Sequence, residues 1–266
     1  MELRNLGTTG IRVSPLGLGT VKLGRNQQVK YPRPFELPDD RAVRALLGLA
    51  ADLGMNLLDT APAYGSSMER LGRLLPGSRH DWVIVSKVGE DFAEGQSRFD
   101  FGYDYTVRTV EDSLRTLRTD YLDAVLIHSD GDDLRILEQE PVVAALRHLK
   151  ERGLIRAHGL SGKTLAGGLR AVAELDLVMV TCNPAYPDEI PVLEAAARQG
   201  TGVLIKKGLQ SGQLTGLSAC DAQAGHGVRE ALRFIFSQPG VSSLIIGTLS
   251  PKHLRANVAA LAECLG

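Results

Sequence analysis

Asn56-Leu-Leu-Asp-Thr-Ala-Pro-Ala-Tyr-Gly65 runs from a short apolar stretch into an acid and then, past a proline turn, into a phenol. Two later stretches end in the same manner: Trp82-Val-Ile-Val-Ser-Lys87 closes on an amine and Asp123-Ala-Val-Leu-Ile-His128 on an imidazole. Apolar runs this short, bounded by turn residues, read as buried parallel strands. Asp59, Tyr64, Lys87 and His128 then emerge where strands end, the face at which α/β folds build their active sites. Singly, each has a plainer role: a turn or cap for the acid, packing for the phenol, a solvated tip for the amine, a loop hydrogen bond for the imidazole. Their joint occurrence at three neighbouring strand ends favours a proton-transfer site.

Working outward, the alternation of strand and helix continues along the chain. Candidate strands are Leu16–Gly19, Asn56–Asp59, Trp82–Lys87, Asp123–Ile127, Ile155–Leu160, Leu177–Thr181, Gly202–Ile205 and Ser243–Ile246. Candidate helices are Asp39–Leu53, Ser67–Leu75, Thr106–Leu117, Leu137–Arg152, Thr164–Leu175, Glu189–Gln199, Gly227–Ser237 and Pro251–Leu265. Eight such pairs in roughly 250 residues predict an α/β fold of the (β/α)₈ barrel type, also called a TIM barrel, as one domain over residues 1–266. A doubly wound sheet is the alternative, and it would leave a second domain to explain. Leu3 to Val13, with Gly7 and Gly10 inside it, reads as an N-terminal β-hairpin closing the bottom of the barrel. Ser66 and Glu69 have the spacing of a capping box, and Gly54, Gly153 and Gly200 follow helices where a left-handed residue is needed. Lys22–Pro38 and Glu90–Tyr105, both rich in aromatic residues, leave the carboxyl ends of strands and are expected to overhang the site.

With 44% apolar and 23% charged residues, the 266-residue chain buries a substantial core, and a net charge of −1 argues against nucleic acid or an anionic membrane as its partner. Cys182, Cys220 and Cys264 are odd in number and widely spaced, so neither a disulfide framework nor a metal site is expected. An N-terminus without a basic stretch and apolar core, and apolar runs short of the roughly 20 residues of a membrane span, point to a cytoplasmic protein.

A lysine beside a phenol favours the phenolate, and a carboxylate paired with that lysine keeps the ammonium charged and oriented. His128 is placed to donate to a carbonyl, fix substrate geometry or relay a proton. Such a group polarises a carbonyl and protonates its oxygen as hydride reaches carbon. No side chain supplies hydride, so a nicotinamide or similar cofactor is implied.

Leu58-Asp-Thr-Ala-Pro-Ala-Tyr-Gly-Ser-Ser-Met-Glu69, together with the Lys87 and His128 strands, resembles the signatures of the aldo-keto reductase family in order and spacing, over nearly the whole chain. The resemblance implies that Asp59, Tyr64, Lys87 and His128 form a catalytic tetrad with Tyr64 as general acid and base. It implies reduction of an aldehyde, ketone or sugar carbonyl, or the reverse. It also implies NADP(H), or NAD(H), bound extended across the barrel top without a Gly-rich motif. By the same resemblance Gly19 and Thr20 approach the nicotinamide, and Ser161 holds its carboxamide. Gly162, Met179 and Lys206 stand where relatives carry an Asn, a Gln and a stacking Tyr, so Asn183 becomes a substitute contact and Lys206, with Lys207, a charge for phosphate. In Ile246-Gly-Thr-Leu-Ser-Pro-Lys-His-Leu-Arg-Ala-Asn257, Thr248, Lys252 and the start of a helix form an anion site for the adenosine phosphate, and Asn257 meets the adenine. Gly247 replaces a lysine of many NADPH-specific relatives. The chain ends at Gly266, where many relatives continue into a loop over the substrate, which implies a more open site or one completed by a neighbouring subunit. The competing readings are a nucleotide-binding regulatory subunit with little turnover and, more remotely, a metal-dependent hydrolase or isomerase.

Overall fold

Side chains alternate faces along a strand, so each short run of the sequence has one set of residues for the barrel interior and one for the surrounding helices. In the computed structural model, residues 1–29, 31, 34–210 and 222–265 are described, without the side chains of 222–225. An antiparallel hairpin, β1 (Arg4–Asn5) and β2 (Arg12–Val13), comes first. Next come β3 (Leu16–Gly19), β4 (Leu57–Asp59) and β5 (Val83–Val88), then a second hairpin, β6 (Glu90–Ala93) with β7 (Gln96–Phe99). The series continues with β8 (Leu122–His128), β9 (Ile155–Ser161), β10 (Leu177–Thr181), β11 (Gly202–Lys206) and β12 (Val241–Ile246). Parallel pairing runs β3-β4-β5-β8-β9-β10-β11-β12, and β12 returns to β3, closing an eight-stranded barrel. The helices are α1 (Val21–Gly24), α2 (Asp40–Asp52), α3 (Ser67–Leu74), α4 (Tyr103–Leu117), α5 (Asp133–Gln139), α6 (Val142–Glu151), α7 (Leu165–Glu174), α8 (Ile190–Gln199), α9 (Ala222–Ser237) and α10 (Pro251–Leu265).

One apolar cluster fills the barrel: Leu57, Val83, Val85, Ala124, Leu126, Ala157, Leu177, Met179 and Leu204. Leu6, Ile11 and Val13 from the N-terminal segment belong to it, so the hairpin plugs the barrel as expected. Gly7 makes that docking possible. Its φ is +57°, and a Cβ there would lie 2.3 Å from the amide nitrogen of Gly202. The second, larger cluster lies between strands and helices; Trp82 joins it, with its indole N–H donating to Pro76 O at 2.9 Å.

Three local expectations change. The helix expected over Leu137–Arg152 is two helices, α5 and α6, because Pro141 forces Glu140 into extended backbone (ψ 147°) and restarts the chain as the N-cap of α6. Ser66 makes no side-chain cap; its backbone N–H instead donates to Gly24 O at 3.4 Å, and the start of α3 is held against α1. The aromatic stretch after Glu90, expected as a long connection, forms the β6–β7 hairpin, turning at Glu94 and Gly95, both with positive φ. Gly54, Gly153 and Gly200 are left-handed, as their positions after helices require. Among the described residues no helix is long and apolar enough to cross a membrane, and no cluster of side chains has the makings of a metal site. Cys220 lies outside the described residues, and Cys182 and Cys264 are unpaired thiols.

Candidate active site

Inward-facing residues recur every second position, and in β4, β5, β8, β10 and β11 the last one is polar. Leu57 is followed by Asp59, Val85 by Lys87, Leu126 by His128, Met179 by Thr181 and Leu204 by Lys206. The polar layer is the mouth of the barrel, standing directly on its apolar filling.

Asp59 and Lys87 lie 4% and 2% exposed, and Lys87 Nζ donates to Asp59 Oδ1 at 2.5 Å and to Thr60 O at 3.1 Å. Tyr64 reaches the same carboxylate from a 3₁₀ turn, Pro62–Tyr64, its hydroxyl donating to Asp59 Oδ2 at 3.5 Å. That turn is fixed by contact between two glycines: Gly65 has φ +59°, and a Cβ on it would stand 2.2 Å from Gly24 O. Lys87 Nζ is 4.8 Å from the centre of the Tyr64 ring, and the His128 ring meets that ring edge-on at 6.4 Å. The four residues named from the sequence are therefore brought together.

Their electrostatics differ from the expected phenolate. Burial pushes the Tyr64 phenol well above its ordinary pKa, and Asp59, Tyr31 and Glu90 push the same way. The Lys87 ammonium is engaged by Asp59, while the Tyr64 hydroxyl faces the carboxylate. The phenol is thus held as an acid. Burial also lowers the pKa of His128, with Lys87 and Lys206 adding to the effect and Glu90 opposing it.

Glu90 was not singled out in the sequence. It lies at the base of the β6–β7 hairpin with Oε2 2.7 Å from His128 Nδ1, a close contact rather than a well-directed hydrogen bond. Ser97 Oγ donates to its Oε1 at 2.6 Å, and Arg25 Nη1 lies 3.6 Å from that oxygen. Burial alone would raise its pKa, but His128, Ser97 and Arg25 outweigh this and hold it at about 2. Arg25 donates to Ala63 O at 3.0 Å and stacks over Phe92 at 3.4 Å, tying the hairpin to the Tyr64 turn. Tyr31, from the first overhanging segment, is pushed to about 12 by burial and by Asp59, so a second neutral phenol borders the mouth. The sequence placed Glu90 at the start of one overhanging segment and Arg25 and Tyr31 within the other, Lys22–Pro38, without marking any of the three as a site residue.

Across the mouth, Lys206 Nζ donates to Ser161 Oγ at 3.1 Å and to Gly162 O at 2.5 Å. Burial lowers its pKa to about 8, while Glu189 favours the ammonium; burial raises that of Glu189 in turn. Glu189 Oε1 accepts from Thr181 N at 3.3 Å, and Oε2 is buried without a partner among the described residues.

Two residues expected to touch cofactor are committed elsewhere. Thr20 is fully buried; its hydroxyl donates to Asp59 O at 3.0 Å and accepts from Ser67 Oγ at 2.7 Å, so it braces the strand end that carries Asp59. Asn183 is also fully buried, donating to Lys207 O at 3.1 Å and accepting from Ala185 N at 3.0 Å. Gly19 stands beside Asp59 in the β3–β4 register, with Ile245 Cγ2 at 3.0 Å from where a Cβ would be. Near the start of α10, Thr248 Oγ1 accepts from Ser250 N at 3.1 Å and Ser250 Oγ from His253 N at 3.3 Å, while Lys252 is exposed. A side chain at Gly247 would meet the Tyr31 hydroxyl at 3.1 Å. For a nicotinamide nucleotide, the exposed Lys252 is the group at the start of α10 that could hold phosphate, the Ser250 and His253 amides being engaged by Thr248 and Ser250, and Lys206 and Ser161 could hold an amide.

A model of the Aldo/keto reductase family matches residues 15–230. L-Galactose dehydrogenase of Arabidopsis thaliana is 27% identical over 297 residues, covering 99% of this chain and 89% of that protein. Pyridoxine 4-dehydrogenase of Escherichia coli is 29% identical over 270 residues, covering 96% and 91%. Among solved structures, a putative aldo-keto reductase from Pseudomonas aeruginosa superposes with a TM-score of 0.89 at 53% identity, covering 99% of this chain and 96% of that one.

Proposed function

The chain belongs to the aldo/keto reductase family and is a nicotinamide-dependent oxidoreductase; from that premise we propose that its single domain, residues 1–266, reduces an aldehyde, ketone or sugar carbonyl with Tyr64 as the general acid. The observation that supports this reading is the Tyr64 hydroxyl, kept protonated at the barrel mouth beside the buried Asp59–Lys87 pair. When bound, the nicotinamide supplies or accepts hydride. A carbonyl oxygen placed above Tyr64 receives the phenol proton as hydride arrives at carbon, and the Lys87 ammonium lies close enough to the ring to stabilise the tyrosinate that remains. In the reverse direction the tyrosinate oxygen of Tyr64 takes the proton from the alcohol hydroxyl.

The start of α10, with Thr248 and Lys252, carries the adenosine end, Asn257 being 6% exposed further along that helix, and Lys206 and Ser161 carry the nicotinamide end. We assign NADP(H) first and NAD(H) second, on the strength of the exposed Lys252 beside the first turn of α10. The names of the Arabidopsis and E. coli relatives point to alcohol-oxidising relatives and, in one, to a sugar substrate. Lys206 occupying Ser161 and Gly162 favours one other reading, a nucleotide-binding regulatory subunit with little turnover.

Titration with NADPH and NADH, followed by their oxidation against a panel of aldehydes and sugars, separates the two. Binding with turnover that drops by about 10²-fold or more in Tyr64→Phe, nucleotide affinity being retained, is the expected result. Undiminished turnover in that variant removes Tyr64 as the acid, and binding without turnover across the panel favours the regulatory reading.

A further inference from the structure

His128 has a carboxylate on one ring nitrogen and the barrel mouth on the other. Its side chain is 21% exposed, yet Nδ1 is fully buried, so the exposed edge is the one that carries Nε2. Glu90 Oε2 lies 2.7 Å from that buried nitrogen. An ionised carboxylate offers only lone pairs, and a bare ring nitrogen at this separation would set lone pair against lone pair. Charge complementarity at this separation, rather than a well-directed hydrogen bond, favours a proton on Nδ1.

We propose that Glu90 is a positioning residue that fixes the Nδ1–H form of His128, so that the neutral imidazole presents Nε2 to the mouth as a hydrogen-bond acceptor. Ser97 Oγ and Arg25 hold the carboxylate in place. The charged and titratable groups facing the ring are Glu90 from β6, Lys87 from β5, Lys206 from β11 and Tyr64 from the turn after β4. Burial and the two lysines keep the ring neutral at slightly alkaline pH, while Glu90 retains its charge.

The consequence is directional, and it rests on the oxidoreductase reading. A neutral His128 accepts a hydrogen bond from an alcohol but cannot donate one to a carbonyl; it becomes a donor only as the imidazolium. Carbonyl binding is then strengthened by protonation of His128, and alcohol binding by its loss. As pH rises through the His128 pKa, KM for the carbonyl rises and KM for the alcohol falls.

The tautomer can be read without turnover, by long-range ¹H–¹⁵N NMR of the imidazoles in the full chain, with His128→Gln identifying the signals. The expected result at pH 8 is a protonated Nδ1 and a bare Nε2. Glu90→Gln should move population toward Nε2–H and lower the His128 pKa by about one unit, whereas Ser97→Ala, which keeps the carboxylate, should leave the tautomer unchanged. A wild-type protein with its proton on Nε2, or a Glu90→Gln protein with unchanged tautomer and pKa, overturns the proposal. If Glu90→Gln fails to fold, the wild-type spectrum still decides. Because the spectrum requires neither nucleotide nor substrate, its failure is distinct from failure of the nucleotide titration.

Discussion

Lys87 is 2% exposed and its ammonium is shared between Asp59 and Thr60 O, so replacing it with methionine strands a carboxylate that is itself 4% exposed. Lys87→Met should destabilise the fold by about 3–5 kcal/mol, read from urea unfolding, in addition to its effect on turnover. Glu90 sets a different dependence. Its folded pKa of about 2 lies below its ordinary 4.5, so the stability it contributes is complete above pH 4.5 and disappears as pH falls toward 2. The gap in unfolding midpoint between wild type and Glu90→Gln should therefore narrow steadily from pH 5 to pH 2.5; a constant gap would mean that the carboxylate charge does not stabilise the fold. At this scale the sequence revealed Asp59, Tyr64, Lys87 and His128 because each sits at or just beyond the end of an apolar run. It grouped Thr20 and Asn183 with the cofactor contacts, and their side chains brace neighbouring backbone; nothing in a linear pattern tells a hydroxyl or amide that faces a ligand from one that braces a loop. Glu90, Arg25 and Tyr31 escaped because their contacts join segments far apart in the chain.

Elements were legible wherever periodicity and turn chemistry agreed. The eight strands of the barrel follow from short apolar runs, but the break between α5 and α6 does not, because apolar spacing continues through it and only Pro141 interrupts. The β6–β7 hairpin was hidden for the opposite reason: β7 is exposed on both faces and shows no alternation of burial. The 3₁₀ turn bearing Tyr64 offers the sharpest test at this level. Gly65→Ala should lose about 1–2 kcal/mol from the left-handed backbone alone, with more from the clash against Gly24 O. It should also cut turnover, since relief of that clash moves Tyr64 away from Asp59. Thermal unfolding and steady-state rates measured together check both effects, and full activity in this variant would show that the turn tolerates displacement. Away from the mouth, Asp123 Oδ2 accepts from Arg79 Nη2 at 2.8 Å and from Ile84 N at 2.9 Å, while Oδ1 accepts from Arg156 Nη1 at 2.8 Å. Asp123→Ala should destabilise by about 3 kcal/mol in urea unfolding without changing KM.

Across the whole molecule, stability and chemistry occupy opposite ends of one apolar column. Leu6 is fully buried in the cluster that fills the barrel. Leu6→Ala should therefore cost about 2–5 kcal/mol in chemical denaturation while leaving kcat within about twofold, the site being at the far end. A large loss of kcat at temperatures where the variant remains folded would show that the plug also positions the mouth. The column has a further consequence for proton traffic. Leu57, Val85, Leu126, Met179 and Leu204 pack beneath the polar layer, and Leu6, Ile11 and Val13 seal the end below them. An apolar filling of this kind conducts no protons, so Tyr64 must exchange its proton with bulk water through the same opening that admits substrate and cofactor. Recharging the acid is then tied to what occupies the mouth, and in solvent deuterium each catalytic cycle inherits the isotope that entered during the preceding vacancy.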